Sequence, residues 1–120
     1  MAERKEFYKH LKAFLRELVV VFPEDDDDLK TITMSINLAI IDDDSDEIIK
    51  RFYNSLQPLE REIKNRDTGL FNKIVWGQHT YEYRLFTKLK NNWNNFSENN
   101  KGVVWDYLNV LYTISLNIIF

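Results

Sequence analysis

Large apolar side chains recur at helical spacing over the first 22 residues, and this repeat restricts the fold more than any other feature. Its members are Phe7, Leu11, Phe14, Leu15, Leu18 and Phe22. Intervals of three and four residues place them on one face of an amphipathic helix, which we expect over residues 3–22. Pro23 should end this helix, because the residue before a proline avoids the helical conformation.

The next apolar stripe predicts a second helix. It comprises Leu29, Ile32, Ile36, Ala39 and Ile40, and it is widened by Met34, Leu38 and Ile41. A helix that is apolar over most of its circumference is usually covered on more than one side, so we expect this one to be buried broadly. An aspartate of the acidic run Glu24 to Asp28 should cap its N-terminus.

The rest of the chain continues the helical pattern. A third helix should begin near Ser45, with Asp46 and Glu47 in its first turn, and should be kinked or divided at Pro58. Residues 65–69 predict a turn in which Asp and Gly supply the permissive backbone conformations. Residues 70–76 fit either a short helix or an extended segment.

Two further helices are expected in the C-terminal part. Thr80 can cap a helix that runs to about Asn92, and Ser97 or Asn99 can cap the last one. Five to six helices with short connections predict an all-α protein, an irregular helical bundle that forms a single domain over residues 1–120.

Composition narrows the possible functions. The 120 residues are 44% hydrophobic and include no cysteine, which excludes disulfides, thiolate metal sites and thiol catalysis. No signal peptide is evident, and the apolar stretch Ile114 to Phe120 is far shorter than the roughly 20 residues of a membrane span. We therefore expect an intracellular protein without a membrane span.

The acidic and histidine residues form no recognisable catalytic or metal motif. An EF-hand loop counted from Asp42 would need glycine at its sixth and glutamate at its twelfth position, but Glu47 and Tyr53 stand there. His10 and His79 are accompanied by no nucleophile motif of a hydrolase. We predict that the protein is not an enzyme and uses neither a metal nor a cofactor.

Two groups of residues are candidates for contact with a partner. Lys5, Lys9, Lys12 and Arg16 lie on the side of the first helix opposite its apolar face, flanked by Glu6 and Glu17, and could bind an anion or an acidic partner. Large apolar side chains off the main stripes or at the chain end could anchor a protein interface: Trp76, Trp105, Ile118, Ile119 and Phe120.

The amino-acid usage and a set of aromatic motifs bear on the kind of genome that encodes this protein. Residue types with AT-rich codons (Phe, Tyr, Met, Ile, Asn and Lys) make up 49 of the 120 positions, which indicates an AT-rich genome. The last part of the chain reads Trp93-x2-Phe96 and then Lys101-x3-Trp105-x-Tyr107-Leu108-x2-Leu111-Tyr112. The chain opens with Phe7-Tyr8-x2-Leu11-x3-Leu15 and Val21-Phe22-Pro23-Glu24-Asp25. This set resembles small helical proteins of nucleocytoplasmic large DNA viruses, and the resemblance implies a helical fold but no activity or functional residues.

A non-enzymatic interaction or structural protein of such a virus, acting by homo- or hetero-association in the host cytoplasm or the virion, is our leading prediction. The first alternative is a nucleic-acid-associated protein that uses the basic face of helix one. The second is a viral apoptosis-inhibitor helical bundle, whose two signature motifs the segments 72–77 and 100–106 faintly resemble. The first segment departs from that pattern, because Val75 rather than Asn precedes Trp76 and Gln78 stands where Arg is expected.

Overall fold

Helices account for nearly the whole of the described chain. The computed structural model describes residues 2–22, 26–41 and 46–119. Its α-helices are α1 (Ala2–Val21), α2 (Asp27–Ile41), α3 (Glu47–Leu56), α4 (Glu60–Asn65), α5 (Leu70–Lys73), α6 (Tyr81–Asn92) and α7 (Glu98–Ile119). Short 3-10 turns occupy Gln57–Leu59 and Trp93–Asn95, and the described ranges contain no strand. Counted with α3 and α4 as one bent helix, these segments confirm an all-α bundle of five to six helices.

Helix α7 lies at the centre of the packing. It contacts α1, α3 and α4, while α2 packs against α1 and α6. The buried apolar side chains, contributed by all of these segments, form one continuous cluster. All six members of the apolar stripe predicted for helix one belong to that cluster, so the predicted buried face of α1 is confirmed.

The chain bends where its sequence predicts a break. Helix α3 ends at Leu56, Pro58 lies in a 3-10 turn, and α4 begins at Glu60. Proline lacks the N–H that a continuous helix would need at this place. The turn after α4 differs in detail from the prediction, because Arg66 rather than glycine takes the left-handed conformation, with φ of 52°. The side chain of Asp67 supports this turn by accepting a hydrogen bond from the Gly69 N–H at 2.9 Å.

Side-chain caps begin three of the helices. The Leu29 N–H donates to Oδ1 of Asp26 at 3.0 Å at the start of α2, as expected for an aspartate of the acidic run. Thr80 accepts from the Tyr83 N–H at 3.2 Å and caps α6, and Ser97 accepts from the Asn100 N–H at 3.1 Å and caps α7. The predicted helix stop at Pro23 and the expectations that fall on Glu24, Asp25, residues 42–45 and Phe120 lie outside the described residues.

The broad burial predicted for α2 is wrong. One face of the helix, represented by Leu29, Ile32 and Ile36, enters the core. The opposite face carries Met34, Leu38 and Ile41, which are 63%, 59% and 72% exposed. Among the described elements, α1 and α6 pack most closely against α2, and they leave the apolar residues on its outer side in contact with solvent.

Helix α7 is the only helix of the described ranges that is long and apolar enough to cross a membrane. The central helix of a globular bundle has the same two properties. Six residues of α7 are buried against the rest of the chain, and 33% of its most apolar 18-residue stretch is buried.

Candidate functional site

The basic stripe of α1 is exposed, and its side chains form no ion pair with a carboxylate of the described residues. Its members are Lys5, Lys9, Lys12 and Arg16. Within residues 2–22, 26–41 and 46–119, none of the four forms an ion pair, whereas nine of the twelve other lysines and arginines do. Four of the seven lysines and arginines that form no ion pair within the described residues therefore lie on this one helix face.

Arg4 precedes this stripe but does not belong to it. Its guanidinium donates to Asp46, the residue before α3, and lies 5.7 Å from the ring centre of Tyr8. The hydrogen bond to Asp46 raises the pKa of Arg4 above its ordinary value, against a smaller effect of desolvation. Arg4 thus joins the start of α1 to the start of α3 and serves the fold.

The stripe forms one wall of a groove between α1 and α2, which we call the basic groove. Among the described residues its lining comprises the four cations together with Tyr8, Ile40 and Ile41, and it encloses about 440 Å³. Ile40 packs partly against the core and Ile41 faces solvent. The groove therefore has a cationic wall on α1 and an apolar wall at the C-terminal end of α2.

The exposed face of α2 extends the apolar wall. Met34, Leu38 and Ile41 follow one another at intervals of four and three residues, and so share one side of the helix. We call these three residues the outer stripe of α2. Ile41 belongs both to the outer stripe and to the groove, which makes the two features one continuous surface, referred to below as the α1–α2 surface.

Carboxylates limit the basic stripe on its other side. Glu3, Glu6 and Glu17 are exposed, and at about 100° per residue they lie between the basic stripe and the buried face of α1, away from α2. Glu6 stands 3.5 Å from Nε2 of His10. The cationic strip is consequently narrow, with apolar side chains along one edge and acidic side chains along the other.

Two of the predicted interface anchors are core residues, and the expectation that they lie off the buried faces is wrong. Trp76 is 7% exposed, with its ring centre 5.1 Å from that of Phe52 and 4.9 Å from that of Phe86. Trp105 is 5% exposed and packs against Phe71, with ring centres 5.8 Å apart. Neither tryptophan can reach a partner while these packing contacts are in place.

The last described residues of α7 differ in their burial. Ile118 is partly buried and packs against the core cluster, while Ile119 is 39% exposed. Ile118 therefore contributes to the core rather than standing free as an interface anchor, while Ile119 stays partly accessible. Phe120 lies outside the described residues.

A smaller concavity lies over the aromatic part of the core. It encloses about 250 Å³, and Phe71, Trp76, Tyr83 and Lys90 are among its lining residues. No histidine or carboxylate lines it, and His79 is exposed in the loop before α6. Across the described ranges, no three His, Asp or Glu residues lie close enough together to hold a metal ion.

Sequence reasoning identified the basic stripe but missed the surface to which it belongs. The predicted burial of the outer stripe of α2 is wrong, although the spacing of Met34, Leu38 and Ile41 indicates a second apolar face opposite the first. That second apolar face is the sequence feature that could have indicated an exposed apolar surface on α2. No family model, curated protein or solved structure matches this chain.

Proposed function

We propose that this protein acts without catalysis, by binding another protein or a second copy of itself through the α1–α2 surface. The observation that carries the proposal is the outer stripe of α2, where three large apolar side chains are more than half exposed side by side. Single exposed apolar residues are ordinary, but contiguous ones rimmed by polar groups are typical of interaction sites. The neighbouring cations of the basic stripe, which form no ion pair within the described residues, add a charged element that can select the partner.

An origin in a large DNA virus is part of the proposal. Its support is the AT-rich residue usage and the resemblance of the aromatic motifs described above. An intracellular location, in the host cytoplasm or the virion, follows from the same premise.

Nucleic-acid binding through the basic groove is the second candidate, and the absence of ion pairs along the stripe within the described residues favours it. Binding to phosphates would weaken steeply as salt is raised. The acidic border formed by Glu3, Glu6 and Glu17 counts against it, because a duplex is wider than the stripe and would bring phosphates close to these carboxylates. Protein binding therefore ranks first.

Selection from an unbiased display library of 16-residue peptides tests the proposal without knowledge of the natural partner. The selected peptides are then titrated against the full chain and against a variant that carries Met34→Gln and Leu38→Gln. Glutamine is as good a helix former as methionine and leucine, so α2 should stay intact. Burial of the exposed parts of these two side chains contributes roughly 2–3 kcal/mol, and we expect a loss of affinity of about 30- to 150-fold.

Val75→Gln is the matched control, since Val75 is 77% exposed and lies in the segment before α6. We expect this change to leave the affinity within twofold of the wild type. Thermal unfolding of all variants checks that the fold is retained, and sedimentation of the free chain measures self-association. Selected peptides that bind the double variant as tightly as the wild type would refute the proposal.

A further inference from the structure

We infer that the partner segment is an acidic amphipathic α-helix that lies lengthwise in the basic groove, with its carboxylates toward α1 and its apolar face toward the outer stripe of α2. This inference rests on the proposed function and names the chemistry of the partner. It follows from the spacing of the cations, from the apolar wall beside them and from the acidic border of the stripe.

The spacing of the cations matches the repeat of a helix. Lys5, Lys9, Lys12 and Arg16 succeed one another at intervals of four, three and four residues, over about 16 Å of helix axis. A second helix lying nearly parallel to α1 presents side chains at the same intervals and the same rise. Glutamates or aspartates placed every three or four residues along three or four turns can therefore meet all four cations.

The apolar wall of the groove indicates that the partner segment has an apolar face in addition to its acidic flank. Ile40 and Ile41 line the groove beside the cations, and Met34 and Leu38 continue the apolar surface along α2. A purely acidic peptide would leave these side chains in water. An amphipathic helix covers them with its own apolar face while its acidic flank reaches α1. Apolar burial at α2 and ion pairing with α1 then both contribute to the affinity.

An extended segment fits less well than a helix. Within the described ranges the protein has no strand, so it offers no sheet edge to which an extended backbone could hydrogen-bond. An extended peptide in the groove would depend on side-chain contacts alone, and the backbone groups that it buried would lose their water without gaining a partner. A helix satisfies these groups internally.

The width of the stripe favours a narrow anionic partner over a broad one. A helix with its side chains is about 10–12 Å across, which suits a single row of cations. An anionic bilayer or a nucleic-acid duplex presents phosphates over a wider area, and those beyond the stripe would face Glu6 and Glu17. The acidic border thus discriminates against flat or wide polyanions.

Three 16-residue peptides test the inference. The first has leucines at helical spacing with glutamates on the flank, the second has the same leucines with lysines instead of glutamates, and the third has the composition of the first in an order without helical periodicity. Each is titrated with the full chain by fluorescence anisotropy at low and moderate salt. We expect the first peptide to bind at least tenfold more tightly than either of the others, and its affinity to fall as salt is raised.

Charge reversal on the protein provides the matched comparison. The double variant Lys9→Glu/Lys12→Glu should weaken binding of the acidic peptide at least tenfold. The double variant Arg61→Glu/Lys90→Glu changes the net charge equally at two exposed residues that form no ion pair in the described part of the chain. It should weaken binding by less than threefold. Equal effects of the two variants would overturn the inference, because the attraction would then follow net charge alone.

Further binding measurements distinguish an acidic helix from the other classes of partner. Tighter binding of a DNA duplex or of vesicles containing phosphatidylserine than of the acidic peptide, with loss in the Lys9→Glu/Lys12→Glu variant, would overturn the inference. Equal binding of the aperiodic peptide would do so as well. The proposed function stands by itself if library-selected peptides lose affinity with Met34→Gln and Leu38→Gln while the acidic helix does not bind.

Discussion

The ion pair between α3 and α6 allows a quantitative prediction from the structure. Glu82 is almost completely buried, with 3% of its side chain exposed. Its Oε1 accepts hydrogen bonds from Nε and Nη2 of Arg51 at 3.1 and 2.8 Å. Replacement of Arg51 by methionine keeps the helix propensity and most of the aliphatic volume, but leaves the carboxylate without these donors.

The expected loss of stability has a lower and an upper bound. Breaking a hydrogen bond to a charged group costs about 1.5–3 kcal/mol, and stranding a buried charge raises the cost to about 3–5 kcal/mol. Arg51 is itself about one-third exposed, so water can approach the vacated position and reduce the loss. We therefore expect Arg51→Met to lower the free energy of unfolding by about 2–3 kcal/mol.

Urea unfolding followed by circular dichroism measures this loss. With a slope of roughly 1–3 kcal/mol per molar urea, the unfolding midpoint should fall by about 0.7–3 M. Removal of both partners in Arg51→Met/Glu82→Met should cost less than the sum of the two single changes, because no buried charge is left behind. Lys64→Met is the control, since Lys64 and Glu60 form an exposed pair one helical turn apart, which should contribute less than about 0.5 kcal/mol. A loss for Arg51→Met as small as that of the control would refute the reasoning.

Two further predictions concern the helix caps. Burial alone would raise the pKa of Asp26, but the Leu29 N–H and the Lys88 ammonium outweigh it and hold the pKa below its ordinary value of 3.8. The stabilisation is present above pH 3.8 and is lost as the pH falls through the folded-state pKa, so the stability difference from Asp26→Asn, which keeps a capping oxygen, should vanish in acid. Thr80→Ala removes the acceptor of the Tyr83 N–H and should cost about 1 kcal/mol in urea unfolding, whereas Thr80→Ser should cost less.

The sequence was most informative where a helix has a single apolar face or a local signal. The stripe of α1, the break at Pro58 and the caps Asp26, Thr80 and Ser97 all depend on residues close together in the chain. Periodicity reports these features because they arise from local geometry and nearby hydrogen bonds. For this reason the predicted class and number of helices agree with the structure.

The errors arose where burial depends on which element is adjacent. Helix α2 has two apolar faces, and only the packing of α1 and α6 against one of them decides that Met34 and Leu38 are exposed. Trp76 follows α5 in a segment without helical periodicity, so its position in the sequence does not indicate whether it faces the core or the solvent. Trp105 is buried because its ring packs against Phe71 of α5 and against Trp93, which belong to other segments of the chain. Contacts between distant parts of the chain are not encoded in local spacing.

Chemical-shift mapping of a bound ligand tests the central claim most directly. A library-selected peptide is titrated into the ¹⁵N-labelled full chain, and the backbone amide shifts are followed by NMR. The account predicts that the largest shifts fall on residues 5–16 of α1 and 34–41 of α2, and that they disappear with Met34→Gln/Leu38→Gln. Shifts centred on α6 and α7, with the α1–α2 surface unaffected, would contradict it.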